Sequence, residues 1–87
     1  MNNLIGLYIN KITLNNINDF ALKNNIILNK KELNILFDIV KNRYKEVLYE
    51  DDSLIKSYLH DNLSMANYNK VIELYDEYRT KYGNYLL

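Results

Sequence analysis

The sequence predicts an all-α protein, and three features of its composition and pattern support this. The 87 residues include no proline and only two glycines, so few positions interrupt a helix. Apolar residues make up 48% of the chain, and in most segments they recur every three or four positions, as one face of a helix requires. We therefore expect one domain over residues 1–87, a compact bundle of about five helices, at roughly 3–10, 14–23, 30–49, 53–62 and 65–82.

The first two helices are short and lead into an extended link. Apolar residues near one face predict the helix over 3–10, for which a strand is the alternative. Thr13 is the expected N-cap of the second helix. Asn24 and Asn25 should end that helix, because asparagine tolerates the left-handed conformation found at helix stops. The run 26–28 is too short for a helix and rich in β-branched residues, so we expect an extended link whose side chains enter the core.

The helix over residues 30–49 is predicted to be the central one. Asn29 and Glu32 have the spacing of a capping box at its start. A second, smaller apolar stripe, formed by Ile35 and Ile39, lies nearly opposite the main one, and a helix that is apolar on two sides usually has neighbours on both. The main stripe spans about 120° and comprises Leu33, Leu36, Phe37, Val40, Tyr44, Val47 and Leu48.

The last two helices have clear start signals. The acidic run 50–52 suits the positive end of the helix that follows it, and Ser64 is the expected N-cap of the final helix. On the helix over 53–62, we expect the buried side to comprise Leu54, Ile55, Tyr58, Leu59 and Leu63. On the final helix, a stripe of about 120° comprises Tyr68, Val71, Ile72, Tyr75, Tyr78 and Tyr82, of which the first four are expected in the core.

The composition argues against catalysis and metal binding. There is no cysteine and a single histidine, His60, so neither a thiol nucleophile nor a thiolate metal site can form. We expect no enzyme activity, no metal and no cofactor. No stretch approaches the length of a membrane span, and the N-terminus lacks the features of a signal peptide, which predicts a cytoplasmic protein without membrane association.

The most direct functional hypothesis is binding to another protein or to a second copy of the chain. Aromatic and arginine side chains are enriched at protein interfaces. The alternative is packing within the molecule, which is favoured because five helices must bury several faces. The candidate interface residues are Ile35, Ile39, Tyr78, Arg79, Tyr82 and Tyr85.

A nucleic-acid-binding regulator is the alternative function. Residues 13–45 have the outline of a helix, a link and a longer helix, as DNA-binding modules do. Residues 1–49 hold seven Lys/Arg and four Asp/Glu, and residues 50–87 the reverse. The net charge of zero argues against strong phosphate binding. The residues that would contact nucleic acid are Lys30, Lys31, Lys41, Arg43 and Lys45.

Two segments resemble a group of bacterial proteins. The first comprises Ile12-Thr13, Ile17, Phe20-Ala21, Asn25-Ile26, Leu28-Asn29 and Glu32, and the second Leu63-Ser64 and Tyr68-Asn69-Lys70-Val71-Ile72-Glu73-Leu74-Tyr75. Together they resemble small proteins of low-GC Gram-positive bacteria that consist of a domain of unknown function. The fifteen asparagines and the absence of proline fit AT-rich codon usage. The resemblance implies an all-α single domain in a bacterial cytoplasm and assigns no functional residue.

Overall fold

The computed structural model describes residues 4–83 and the side chains of residues 6–81. Every regular element in this part of the chain is an α-helix, so the predicted all-α class is confirmed, with six helices rather than five. They belong to two compact units, Met1–Asn42 (unit 1) and Arg43–Leu87 (unit 2). Unit 1 contains α1 (Leu4–Asn10), α2 (Leu14–Lys23) and α3 (Lys30–Asn42), and unit 2 contains α4 (Tyr44–Tyr49), α5 (Ser53–Asn62) and α6 (Met65–Gly83).

Capping boxes begin α2 and α3 at the predicted positions. The backbone N–H of Asn16 donates to Thr13 Oγ1 (3.1 Å), and the Thr13 N–H donates to Asn16 Oδ1 (3.0 Å). The Glu32 N–H donates to Asn29 Oδ1 (2.8 Å), and the Asn29 N–H donates to Glu32 Oε1 (3.0 Å). Each pair satisfies N–H groups that have no partner inside the helix.

A left-handed turn ends α2, as the sequence predicts. Asn25 has φ 62°, and the N–H groups of Asn25 and Ile26 donate to the carbonyls of Leu22 and Ala21. This is the hydrogen-bond pair of a Schellman motif. Ile26 is buried with Ala21, but Ile27 is 79% exposed. The prediction that the whole link enters the core is therefore wrong, because successive side chains of an extended segment point to opposite sides.

Unit 1 is organised around α3. Both α1 and α2 pack against this helix. Ile35 and Ile39, the two members of its smaller apolar stripe, are buried, and α3 is therefore the central helix of the unit. The other buried side chains described in unit 1 are Ala21, Ile26 and Glu32.

A break at Arg43 corrects the prediction of one continuous helix over residues 30–49. Arg43 has φ −129° and ψ 21°, outside helical geometry. No glycine or proline lies nearby, and the apolar stripe continues through Tyr44, so the local sequence favours an unbroken helix. Since α4 packs along α6, we attribute the break to tertiary packing, which overrides local propensity.

Unit 2 is organised around α6, which packs against both α4 and α5. The N–H of Asn67 donates to Ser64 Oγ (3.2 Å), so the predicted N-cap is confirmed. Of the four α6 residues expected in the core, Val71 and Tyr75 are buried, whereas Tyr68 and Ile72 are partly exposed. The remaining buried side chains described in this unit are Ile55, Leu59 and Leu63.

Candidate interaction surface

Arg79, one of the predicted interface residues, is bound within unit 2. Its Nη1 donates to the carbonyls of Val47 (2.9 Å) and Glu46 (3.3 Å), and its Nη2 donates to the carbonyl of Glu50 (2.7 Å). These carbonyls lie at the C-terminal end of α4, where no further turn supplies donors. A positive charge is also favourable at a helix C-terminus. Arg79 therefore caps α4, which explains its presence without a partner protein.

Asp52 connects this cap to α5 and α6. It accepts a hydrogen bond from the Tyr75 hydroxyl (2.9 Å) and forms ion pairs with Arg79 (3.0 Å) and Lys56 (3.7 Å). Lys56 also pairs with Asp76 (3.3 Å). Burial, together with the hydrogen bond to Asp52, raises the pKa of Tyr75 well above its ordinary value of 10. The network thus holds a neutral tyrosine against a charged carboxylate, and its role is structural.

The other predicted interface residues do not form an exposed patch in the part of the chain that the structure describes. Ile35 and Ile39 are buried. They were proposed as an interface stripe, and this is corrected because the packing of unit 1 already covers them. Tyr78 is partly exposed. Tyr82 lies in α6, but its side chain is outside the described set, and Tyr85 lies outside the described residues.

Two of the residues proposed to contact nucleic acid have structural partners. Lys41 Nζ donates to the carbonyls of Asn10 (2.7 Å) and Ile9 (3.3 Å) and so caps the end of α1. Arg43 binds both carboxylate oxygens of Glu46, each at 3.1 Å. This bidentate pair lowers the pKa of Glu46 below its ordinary value of 4.5. Lys41 and Arg43 therefore both bind groups of the chain itself.

The remaining basic residues of that set are exposed. Lys30 and Lys31 occupy the first turn of α3, and Lys45 lies on α4. Lys30, Lys31 and Lys41 belong to unit 1, whereas Arg43 and Lys45 belong to unit 2. The set therefore reduces to two adjacent exposed lysines at the start of one helix and a third on a helix of the other unit.

An acid-flanked apolar stripe lies on α5, and we call it the α5 stripe. It comprises Leu54, Tyr58 and Asp61, which helical spacing places within about 60° on α5, and Asp51, which precedes the helix by two residues. Leu54 is 75% exposed, Tyr58 is 44% exposed, and both aspartates are exposed. The adjacent face of α5 carries its buried residues, Ile55 and Leu59. The arrangement presents two large apolar groups between two carboxylates.

The Asp51 carboxylate of the stripe is stabilised in its charged form. The backbone N–H of Ser53 donates to Asp51 (3.0 Å), which lowers the pKa of Asp51 below its ordinary value of 3.8. Asp61 lies 3.3 Å from Nδ1 of His60, whose ring meets the Tyr68 ring edge to face at 5.1 Å. The surface chemistry of the stripe is therefore apolar at its centre and anionic at both ends.

The prediction that Leu54 and Tyr58 lie on the buried side of α5 is wrong, because both side chains are exposed. With Ile55, Leu59 and Leu63 they cover an arc of about 180°, wider than one neighbouring helix covers. The structure buries only Ile55, Leu59 and Leu63. The width of this arc indicates that part of it must be exposed, but it does not indicate which part.

No group of three His, Asp or Glu side chains able to hold a metal ion occurs among the described residues. Within that same part of the chain, no helix has the length and apolar character needed to cross a membrane.

Comparison with known proteins adds no further assignment, because no protein-family model, curated protein or solved structure matches the chain. The resemblance to small proteins of low-GC Gram-positive bacteria accordingly stays a prediction.

Proposed function

We propose that this chain is a small non-catalytic protein that acts, in a regulatory role, by binding another protein through the α5 stripe. The observation that supports this is the exposure of Leu54 and Tyr58 on successive turns of one helix. A side chain such as leucine gains about 1.5–3 kcal/mol when it passes from water into an apolar environment. Two such groups on one face offer a partner a compact apolar anchor.

The flanking charges separate this surface from ordinary surface leucines. Single exposed apolar residues are common and need no explanation. Here Asp61 lies on the same face of α5 as the apolar pair, and Asp51 precedes the helix at its other end. An apolar centre with a charged rim is the usual anatomy of a protein interface. Since a stable interface buries about 800 Å² on each partner, the stripe forms its centre, and residues around it complete the contact.

Affinity capture with matched variants tests the proposal. The full chain, a Leu54→Glu variant and a Leu7→Glu variant serve as baits in extract from the native host. Leu7 is an exposed leucine on α1 and is the control. We expect a protein that is retained by the wild-type chain and by Leu7→Glu but lost with Leu54→Glu.

Direct binding to the purified partner completes this test. We expect Leu54→Glu to weaken the affinity at least tenfold, or about 1.4 kcal/mol, because a carboxylate replaces an apolar anchor. Circular dichroism verifies that both variants keep the wild-type helix content. Equal retention by all three baits, with folding intact, contradicts the proposal.

The non-catalytic assignment and the cytoplasmic location are part of the same proposal. The only histidine, His60, contacts Asp61 and the Tyr68 ring at the surface of unit 2. The absence of cysteine is consistent with a reducing compartment, and the asparagine-rich composition is consistent with a low-GC bacterium.

Nucleic-acid binding through α2, the link and α3 is a second candidate. It is favoured by Lys30 and Lys31, which are exposed in the first turn of α3 although the positive end of the helix dipole lies there. Fluorescence anisotropy with a short labelled DNA duplex, at about 50 and about 200 mM salt, tests it. Binding that falls steeply with salt and is lost in Lys30→Glu/Lys31→Glu, but not in Lys70→Glu, supports this candidate. Absence of binding at the lower salt concentration excludes it.

A further inference from the structure

Unit 1 has a surface on which exposed apolar residues lie among positive charges, whereas those of the α5 stripe lie among negative charges. We call this surface the lysine corner. It comprises Leu22, Lys23, Ile27, Lys30 and Lys31, at the end of α2, the link and the start of α3. Leu22 is 51% exposed, Ile27 is 79% exposed, and all three lysines are exposed. Two apolar side chains thus occur among three positive charges within ten residues of chain.

Three charges of the two surfaces are unfavourable for the helices that carry them. Lys30 and Lys31 lie at the N-terminal end of α3, where a positive charge is unfavourable, and Asp61 lies at the C-terminal end of α5, where a negative charge is unfavourable. Neither lysine forms an ion pair with a described residue. Helix stability therefore does not explain these charges, whereas a requirement for complementary surfaces does.

We propose that the α5 stripe of one copy of this chain binds the lysine corner of a second copy. This rests on the proposed function, because it names the partner of the same stripe. Unit 1 carries five lysines and three carboxylates, and unit 2 carries six basic and eight acidic side chains. Contact between unlike units of two copies therefore brings opposite net charges together and covers exposed apolar groups on both sides.

The same charges argue against a symmetric contact between two α5 stripes. An antiparallel pair of α5 helices would place Asp51 of one copy beside Asp61 of the other, and like charges at close range repel. The contact between stripe and corner instead joins surfaces of opposite charge. Two copies that make this contact reciprocally about a twofold axis form an isologous dimer.

Charge exchange on the full-length chain tests this contact. Sedimentation equilibrium measures association of the wild-type chain, of Asp61→Lys, of Lys30→Glu/Lys31→Glu, and of an equimolar mixture of the two variants. Lys45→Glu, at an exposed position on α4, is the control. We expect the wild-type chain and the control to dimerise, each charge variant to dimerise at least tenfold more weakly, and the mixture to regain part of the lost affinity.

Unfolding of the same variants distinguishes the contact from a general loss of stability. Each reversal places a favourable charge at its helix end, so we expect the unfolding midpoint of the monomer to stay the same or rise while the dimer weakens. Leu54→Glu, which alters the apolar centre, should also weaken the dimer.

Several results would overturn the inference. They are a wild-type chain that stays monomeric at every concentration, charge variants that dimerise as the wild type does, or a mixture that regains no affinity. A monomeric wild-type chain would leave the proposed function to be judged by the capture experiment, in which a different protein would be the partner lost with Leu54→Glu.

Discussion

At the scale of single residues, Arg79 joins α6 to the end of α4 and to the N-cap of α5. It donates to three carbonyls at the end of α4 and pairs with Asp52, which also receives the Tyr75 hydroxyl. Arginine suits this position because its planar guanidinium offers several donors in fixed directions. The local sequence around Arg79 indicates none of this, since every partner lies at least 27 residues earlier in the chain.

We expect Arg79→Met to destabilise the protein by about 1–3 kcal/mol, because it removes charged hydrogen bonds and leaves carbonyls at the end of α4 without donors. Chemical denaturation followed by circular dichroism measures the change. Lys45→Met removes an exposed positive charge from α4 and should shift stability by no more than about 0.5 kcal/mol. Equal effects of the two substitutions would show that the capping contacts contribute little.

Two tyrosines of unit 2 differ in how their hydroxyl groups are satisfied. The Tyr75 hydroxyl donates to Asp52, whereas the buried Tyr49 hydroxyl has no hydrogen-bond partner among the described residues. We expect Tyr75→Phe to cost about 1 kcal/mol near pH 7. Tyr49→Phe should be neutral or stabilising, because it removes an unpaired polar group. Denaturation of both variants under one condition checks this contrast.

The raised pKa of Tyr75 predicts a dependence on alkaline pH. The folded state keeps this proton more tightly than the unfolded state, in which the pKa is near the ordinary value of 10. The contribution of Tyr75 to stability is therefore complete below pH 10 and is lost as the pH rises above 10 toward the folded-state pKa. We expect the stability difference between the wild-type chain and Tyr75→Phe to narrow above pH 10 in denaturation series. A constant difference across that range would contradict the assignment.

At the scale of elements, the stop of α2 depends on one backbone conformation. Asn25 has φ 62°. This left-handed conformation costs about 1–2 kcal/mol for most residues with a Cβ, and asparagine adopts it at a lower cost. We expect Asn25→Ala to destabilise the protein by about 1 kcal/mol. Asn25→Gly should be as stable as the wild-type chain or more stable. Thermal unfolding of the wild-type chain, Asn25→Ala and Asn25→Gly measures these differences in stability. An alanine variant as stable as the glycine variant would contradict the role of the left-handed turn.

The helix boundaries divide into those that local sequence explains and one that it does not. The N-caps at Thr13, Asn29 and Ser64 and the stop at Asn25 were all predicted, because each is made by groups within about five residues of one another. The break at Arg43 was not predicted, since no residue there disfavours a helix. It coincides with the boundary between the two units, where different cores cover α3 and α4.

At the scale of the whole molecule, the prediction of a single domain can be tested by unfolding. Segments of about 40–45 residues rarely form a stable core alone, so the single-domain prediction requires one cooperative transition. We expect Ile39→Val in unit 1 and Ile55→Val in unit 2 each to lower stability by about 0.5–1.5 kcal/mol within one transition. Tyrosine fluorescence and circular dichroism should then give coincident curves. Two separate transitions, each sensitive to only one substitution, would contradict the prediction.

The candidate surface shows that the apolar pattern of the sequence does not determine which helix faces are buried. Three of the six predicted interface residues have intramolecular explanations, because Ile35 and Ile39 are buried and Arg79 caps α4. Leu54 and Tyr58 of the α5 stripe are predicted to be buried because they are apolar and helically spaced. Periodicity identifies which residues share a face, but it does not state which of two adjacent faces a neighbour covers.

Local sequence was sufficient for the all-α class, most helix boundaries and the charge asymmetry along the chain, because helix propensity, caps and left-handed turns act between residues close in sequence. Packing between distant segments set the break at Arg43, the capping role of Arg79 and the exposure of Leu54 and Tyr58. The hydrogen bonds from Arg79 to α4 span 32 and 33 residues, and the bond from Tyr75 to Asp52 spans 23. Such contacts form only when the helices pack, so no local pattern in the sequence contains them.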